Sequence, residues 1–441
     1  MANLAEAKRG RNRENPRVSS LGIPAALVAC SRRFAVSTRP MDAYATAFSD
    51  ALDPTVAAEE LARALEARLG VGVAGALVLA TAAGAEAGRV AGARLADRWP
   101  DALLAGTSFE GVLAESRVVR DRPALLAIGW GEGSEEPAPF LLESEVFGQS
   151  AGAALDDVVH VLEEAREGPL EAEDLVLLFP DAIEGLALER QLAALGPRVR
   201  GAVFAGAAAS GPGLVGAQAW VGELAEAGGT LGVVLPGGAA GGGRLGSAGA
   251  TRFASPWLRI GECRSRWIDE LDGEPALDWV RRQLGLEASA PIEPHLDRLT
   301  VRLRPASAAR DGQSMPDEAD LAYVERYVVG LDAERGAISV PAGIERGGEL
   351  ALALPDPDHA RASLRVAAEG LSPSPVVLQF ACRARDAELH GDADLEGAWV
   401  QHLVGERAAV GTLAPFQIRP GRDGRPGELV HATLLTALGR A

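Results

Sequence analysis

Lysine is all but missing from this chain: Lys8 is the only one in 441 residues, and arginine supplies every other fixed positive charge. Codon bias toward GC explains that more simply than any chemistry. Cysteine is nearly as scarce. Cys30, Cys263 and Cys382 are too few for a disulfide framework, and none has the short paired spacing of a zinc site. No apolar run reaches the roughly 18–20 residues that a membrane-spanning helix needs. These absences point to a reducing cytoplasm and to no membrane partner.

Acidic residues are abundant instead. Residues 1–40 carry eight basic and two acidic side chains, a net of +6, which leaves −24 on the rest of a chain whose total is −18. A body this acidic repels phosphate backbones, so nucleic acid is not an expected partner. The basic start, followed by Leu21–Ala29 and Cys30, has the outline of a lipoprotein leader, and Arg32-Arg33 that of a twin-arginine signal. Gly22 and Pro24 interrupt the short apolar stretch, and no long one follows. A disordered leader, or a misassigned start with Met41 as initiator, is the simpler expectation for 1–40.

From Met41 the pattern alternates between strand and helix. Asp53-Pro54 and Gly70 frame a helix striped with Leu61, Leu65 and Leu69. Strands are expected at Ala76–Thr81, Leu103–Thr107, Ala124–Trp130, Asp174–Phe179, Val199–Phe204, Ala217–Val221 and Gly229–Leu235. Helices fall between them at Ala82–Arg98, Asp156–Arg166 and Ile183–Leu195. Glycines dominate Pro236–Gly249, which reads as a linker. Beyond it come a helix near Pro275–Leu284, a hairpin formed by Tyr323–Leu331 and Gly336–Val340, and a second Asp-Pro helix, Asp356–Gly370. The hairpins make the sheets partly antiparallel. The expected fold is α/β, two mixed-sheet α/β halves with flanking helices, over domains 41–240 and 241–441.

Pro375–Pro420 is the most informative stretch. Val376–Ala381 is an apolar strand that delivers Cys382 and Arg385 to its C-terminal end; a helix carrying Glu396 follows, then a strand entering at Val410-Gly411. This order resembles the C-terminal half of the FIST domain family. Leu103–Leu113 (L-L-A-G-T-S-F-E-G-V-L) and Val203–Gly211 (V-F-A-G-A-A-A-S-G) resemble its N-terminal half. The resemblance implies intracellular small-ligand sensing rather than catalysis, with output through a separate signalling protein. It also puts Gln417 where the family usually has glutamate and Ala432-Thr433 at an Asn-x-Thr-like ending. A scaffold with a decayed pocket, or a haem-based nitric oxide sensor using an axial histidine, are the alternatives it leaves open.

Seven residues are candidates for ligand binding. Arg385 and Glu396 supply either a fork for a carboxylate or phosphate, or simply a structural ion pair. Cys382 is open to use as a nucleophile or thiolate, activated by Arg383 and Arg385, or as a small buried apolar residue. Gln417 keeps hydrogen-bonding capacity without charge. Gly106, Ser108 and Gly206 stand in glycine-rich turns at the ends of buried strands, where a ligand can approach backbone N–H groups. The letters of Gly241-x-Gly243-x-x-Gly246 match a dinucleotide fingerprint, but no helical period follows. His390-x-Asp392-x-Asp394-x-Glu396 lacks the glycine and length of a calcium loop, and capping of the helix near Leu395 explains it.

Overall fold

The computed structural model describes residues 44–70, 72–114, 116–132, 137–143, 153–182, 195, 198–199, 201–213, 215–238, 243–287, 290–308, 323–341, 343–420 and 426–439. The leader over 1–40 with Cys30, all but the last residue of the expected helix Ile183–Leu195, and Gly241 lie outside these residues.

Capping chemistry sets the helices where the sequence puts them. Asp53 Oδ1 accepts from Thr55 N at 2.7 Å, Pro54 takes the first helical position, and Gly70 ends the helix Pro54–Leu69 with φ 74°. Asp356 repeats the device, accepting from His359 N at 2.8 Å at the head of Pro357–Glu369. Each helix buries one alanine- and leucine-rich stripe against a sheet. The fold class is mixed α/β, with parallel and antiparallel pairs in the same sheets.

Three six-stranded sheets repeat one plan. In the first unit Tyr44–Ser49 is followed by the helix Pro54–Leu69, the strand Val73–Thr81, the helix Ala85–Arg98, the strand Leu103–Phe109 and a return strand, Leu125–Gly131. The second unit has Ala138–Leu142, the helix Ala153–Arg166, Leu175–Phe179, Val203–Ala207 and the return strand Thr230–Leu235. The third has Leu245–Gly249, the helix Pro357–Glu369, Val376–Cys382, the helix Leu395–Val404, Ala408–Ala414 and the return strand Ala432–Leu438. In every unit the two central strands are parallel and the return strand is antiparallel to the first of them.

Each unit also emits a hairpin that completes another unit's sheet. Gly111–Ala114, paired with Arg117–Arg120, adds to Ala408–Ala414 of the third unit. Gln218–Val221, paired with Leu224–Ala227, adds to Leu103–Phe109 of the first. Gln417–Pro420, paired with Pro426–Leu429, adds to Val203–Ala207 of the second. The exchange is cyclic, so each unit both lends and borrows a hairpin.

A glycine precedes each departure: Gly106, Gly206 and Gly411. They face Val78, Leu178 and Gln379 of the neighbouring parallel strand. A Cβ there would stand 2.6, 1.9 and 1.8 Å from those residues' carbonyl oxygens. Only glycine lets the strands close up at that point. The inner faces of all three sheets share one core, which includes Leu77, Leu177 and Leu378. Phe179 sits between Phe109 and Phe380 there, with ring centroids 5.7 Å from each.

The third unit is interrupted between its first strand and its helix. Thr251–Phe253 and Leu258–Arg259 pair with Glu349–Pro355, which pairs with Thr300–Arg304, itself paired with Val324–Tyr327. A small sheet carries the expected hairpin as Gly330–Asp332 and Ala337–Ser339. This insertion has its own core around Ile268, Trp279, Leu303 and Leu350.

Two expectations change. The strand expected at Val199–Phe204 begins later, at Val203. The supposed linker Pro236–Gly249 ends in a strand, Leu245–Gly249, and Gly246 is small because a Cβ there would meet Ala367 O at 2.5 Å. Strand, not helix, follows Gly243 and Gly246, so no helix N-terminus is offered to a pyrophosphate.

Candidate functional site

The three glycines give the units a common register. Three residues beyond the glycine step, Thr81 faces Phe109, Asp181 faces Ala209 and Cys382 faces Ala414. One residue further on, the pairs are Ala82 with Glu110, Ala182 with Ser210, and Arg383 with Pro415. All six line a single cavity of about 710 Å³. It lies beyond the carboxyl ends of three parallel strand pairs, where open α/β sheets present their ligand sites, and its size suits a small molecule.

The backbone repeats but the chemistry does not. The first unit contributes the Glu110 carboxylate, the second the Ser210 hydroxyl and the third the Arg383 guanidinium. Arg383 Nη1 donates to Glu110 Oε1 at 2.9 Å, joining first unit to third. The first unit's hairpin adds Arg120 and Asp121, and Asp181 closes the second unit's side. Arg120 Nη1 donates to Asp386 Oδ2 at 3.2 Å, and the Ala217 amide donates to Asp181 Oδ2. Among the described residues, Arg120 Nη2 and the buried Ser210 Oγ have no hydrogen-bond partner.

The equivalent strand-end residues knit strand to loop. Thr81 Oγ1 donates to Arg122 O at 2.7 Å and accepts from Gly84 N and Ala124 N, both at 3.1 Å. Asp181 accepts from Ala217 N. Cys382 Sγ stands 3.7 Å from Pro415 O and 3.3 Å from the Tyr327 hydroxyl of the insertion. Burial pushes the Cys382 thiol up, and the Tyr327 hydroxyl and nearby backbone amides offset only part of that. The expected activation by the neighbouring arginines does not follow: Arg385 is a minor influence and desolvation wins. Tyr327 is pushed well above its usual value, first by burial and then by Cys382.

Behind this strand end lies a closed polar cluster. Glu396 Oε2 accepts from Arg385 Nε at 2.6 Å and lies 3.0 Å from His390 Nε2; Oε1 accepts from Gln379 Nε2 at 3.2 Å and from Thr433 Oγ1. Desolvation alone would raise the Glu396 carboxyl, but Arg385, His390 and Thr433 together hold it below its ordinary range. His431, packed at a tilt against the Tyr327 ring with centroids 4.7 Å apart, falls to about 4 because burial and the Arg385 cation both oppose its protonation. The Gln417 amide, assigned with its nitrogen toward Leu429 O (3.3 Å) and Ala432 O (3.0 Å) and its oxygen toward Cys382 N (3.1 Å), fastens the root of the hairpin to the third unit's strands at Cys382 and Ala432.

One part of the chain resembles a known family. Residues 74–274 match the FIST N domain. FIST domains are generally regarded as sensory or ligand-binding rather than catalytic, which supports a general sensory role here. No curated protein matches the chain. The FIST N match holds every charged or hydroxyl group that lines the cavity except Arg383.

None of the seven expected residues is among the residues that line the cavity. Arg385, Glu396 and Gln417 are in the buried cluster, and Cys382 is the strand end beside Arg383. Gly106 and Gly206 serve strand approach, and a Gly106 Cβ would also meet Trp220 at 2.5 Å. Ser108 Oγ accepts from Gln218 N at 3.2 Å, and its carbonyl accepts from Ser210 N at 2.7 Å. Glu110, Ser210 and Arg383, which do line it, lie just beyond the ends of Leu103–Phe109, Val203–Ala207 and Val376–Cys382. Asp394 does not cap its helix; its carboxylate accepts from Val118 N at 2.7 Å, fastening the first unit's hairpin.

Haem does not fit these residues. Among the described residues that line the cavity there is no histidine, cysteine, methionine or tyrosine to serve as axial ligand. His390 is committed to Glu396 and His431 is packed on Tyr327. Among the described residues no group of histidine, cysteine, aspartate and glutamate is arranged to hold a metal ion, and no helix is long and apolar enough to cross a membrane.

Proposed function

We propose that the chain is a sensory protein of the FIST type in both halves. A small ligand would occupy the cavity where the three units meet, and a separate cytoplasmic signalling protein would read its occupancy. The observation that carries this reading is convergence: three strand pairs end on one space and each supplies a different chemical group to it. A ligand held there touches all three units at once, so binding bears on how the whole ring of sheets sits together. Cys382, Arg385, Glu396 and Gln417 then act from behind the wall, fixing the strand end from which Arg383 projects.

Thermal unfolding in the presence of a metabolite library tests this. A ligand at 100 times its Kd adds about 2.7 kcal/mol. Ala83→Trp and Ala182→Phe, which put bulk into the cavity, should remove the shift while leaving the fold intact. A library without effect, or a shift that survives both fillings, would overturn the reading.

A further inference from the structure

We propose that the group this cavity grips is an anion, a carboxylate or phosphate seated against Arg120 and Ser210; this rests on the cavity being the ligand site. Of the carboxylates on the walls, Glu110 is paired with Arg383 and Asp181 accepts from the Ala217 amide. Asp121 is exposed. Asp386, behind the wall, is taken by Arg120 Nη1. Two donors on lining residues are unmet: Arg120 Nη2 and Ser210 Oγ are withdrawn from solvent and have no partner among the described residues. Ser210 is only 8% exposed. Buried donors left unmet are costly, and a guanidinium N–H is met best by a charged oxygen.

The same walls limit the charge of that ligand. Glu110, Asp121 and Asp181 surround the two arginines, so a second negative group away from Arg120 is repelled. The ligand class is therefore a compact anion with one acidic group and a neutral remainder.

The test uses the full chain with butyrate, its uncharged counterpart butyramide, succinate and inorganic phosphate, at fixed low ionic strength, by calorimetric titration and thermal shift. Butyrate or phosphate should bind and stabilise, and the stronger of the two names the acidic group. Butyramide should not, and succinate should bind less well than butyrate. Arg120→Gln should weaken binding at least tenfold, Ser210→Ala severalfold, and Arg120→Lys should restore part of the loss. Neither anion binding, butyramide matching butyrate, or full binding by both Arg120→Gln and Ser210→Ala would overturn the assignment. If instead a neutral or cationic metabolite stabilises the chain and cavity filling abolishes the effect, the sensory reading stands and the anion assignment falls.

Discussion

Arg385 donates from Nε to Glu396 Oε2 across 2.6 Å, and neither side chain reaches solvent. The pair joins the end of Val376–Cys382 to the start of the helix Leu395–Val404. Removing one partner strands the other charge in the interior. Arg385→Ala should therefore cost about 3–5 kcal/mol in urea unfolding, whereas the apolar pair Arg385→Met with Glu396→Leu should recover much of it. A single variant that loses less than about 1 kcal/mol would show that the pair is not a keystone of this wall.

His431 gives the protein a pH dependence whose sign is fixed by geometry. Its folded pKa of about 4 lies below its ordinary 6.5, so the unfolded chain binds the extra proton between those values. Stability from this group is fully present above about pH 6.5 and falls as the pH drops toward 4, by about 3 kcal/mol in all. From its ordinary 4.5 downward the lowered Glu396 carboxyl adds a further loss as the pH falls through its folded value. His431 has φ 48°, a conformation asparagine tolerates, so His431→Asn should flatten the slope between pH 6.5 and 4 without breaking the turn. An unchanged slope in that variant would reassign the effect.

Gly411→Ala tests the strand approach in the third unit. The added methyl would stand 1.8 Å from Gln379 O, a distance no rotamer change relieves, because both atoms are fixed by backbone. We expect a loss of several kcal/mol, at the upper end for a single substitution. Gly427→Ala, in the same unit's hairpin with nothing within 4 Å of its Cβ, is the control and should be near neutral. Equal effects from the two would dismiss the steric account.

Local chemistry made the helices and most strands legible: Asp-Pro starts, glycine stops and apolar runs of strand length are decided within a few residues. The threefold plan was not, although its trace is there in Ala105-Gly106-Thr107, Ala205-Gly206-Ala207 and Val410-Gly411-Thr412. Thr251–Pro355 separates the third unit's first strand from its helix, so the spacing between equivalent elements is lost. The strand ends Thr81, Asp181 and Cys382 are equivalent in place and unrelated in chemistry, so no common letter marks them. Cavity residues escaped for a related reason. Arg385 and Glu396 look more ligand-like than Glu110 or Ser210, and only the register shows which ones face the common space.

The borrowed hairpins also impose an order on synthesis. Val203–Ala207 leaves the ribosome more than two hundred residues before Gln417–Pro420, the strand that covers its open edge. Until then the second sheet is a bare template on a nascent chain, the kind of surface that pairs with strangers. The first sheet waits about half as long, for Gln218–Val221, and the third does not wait: the hairpin that finishes it is made before the strands it joins. The last hairpin is thus the clasp of the ring, and a transcript cut short before it would yield not a smaller protein but an adhesive one.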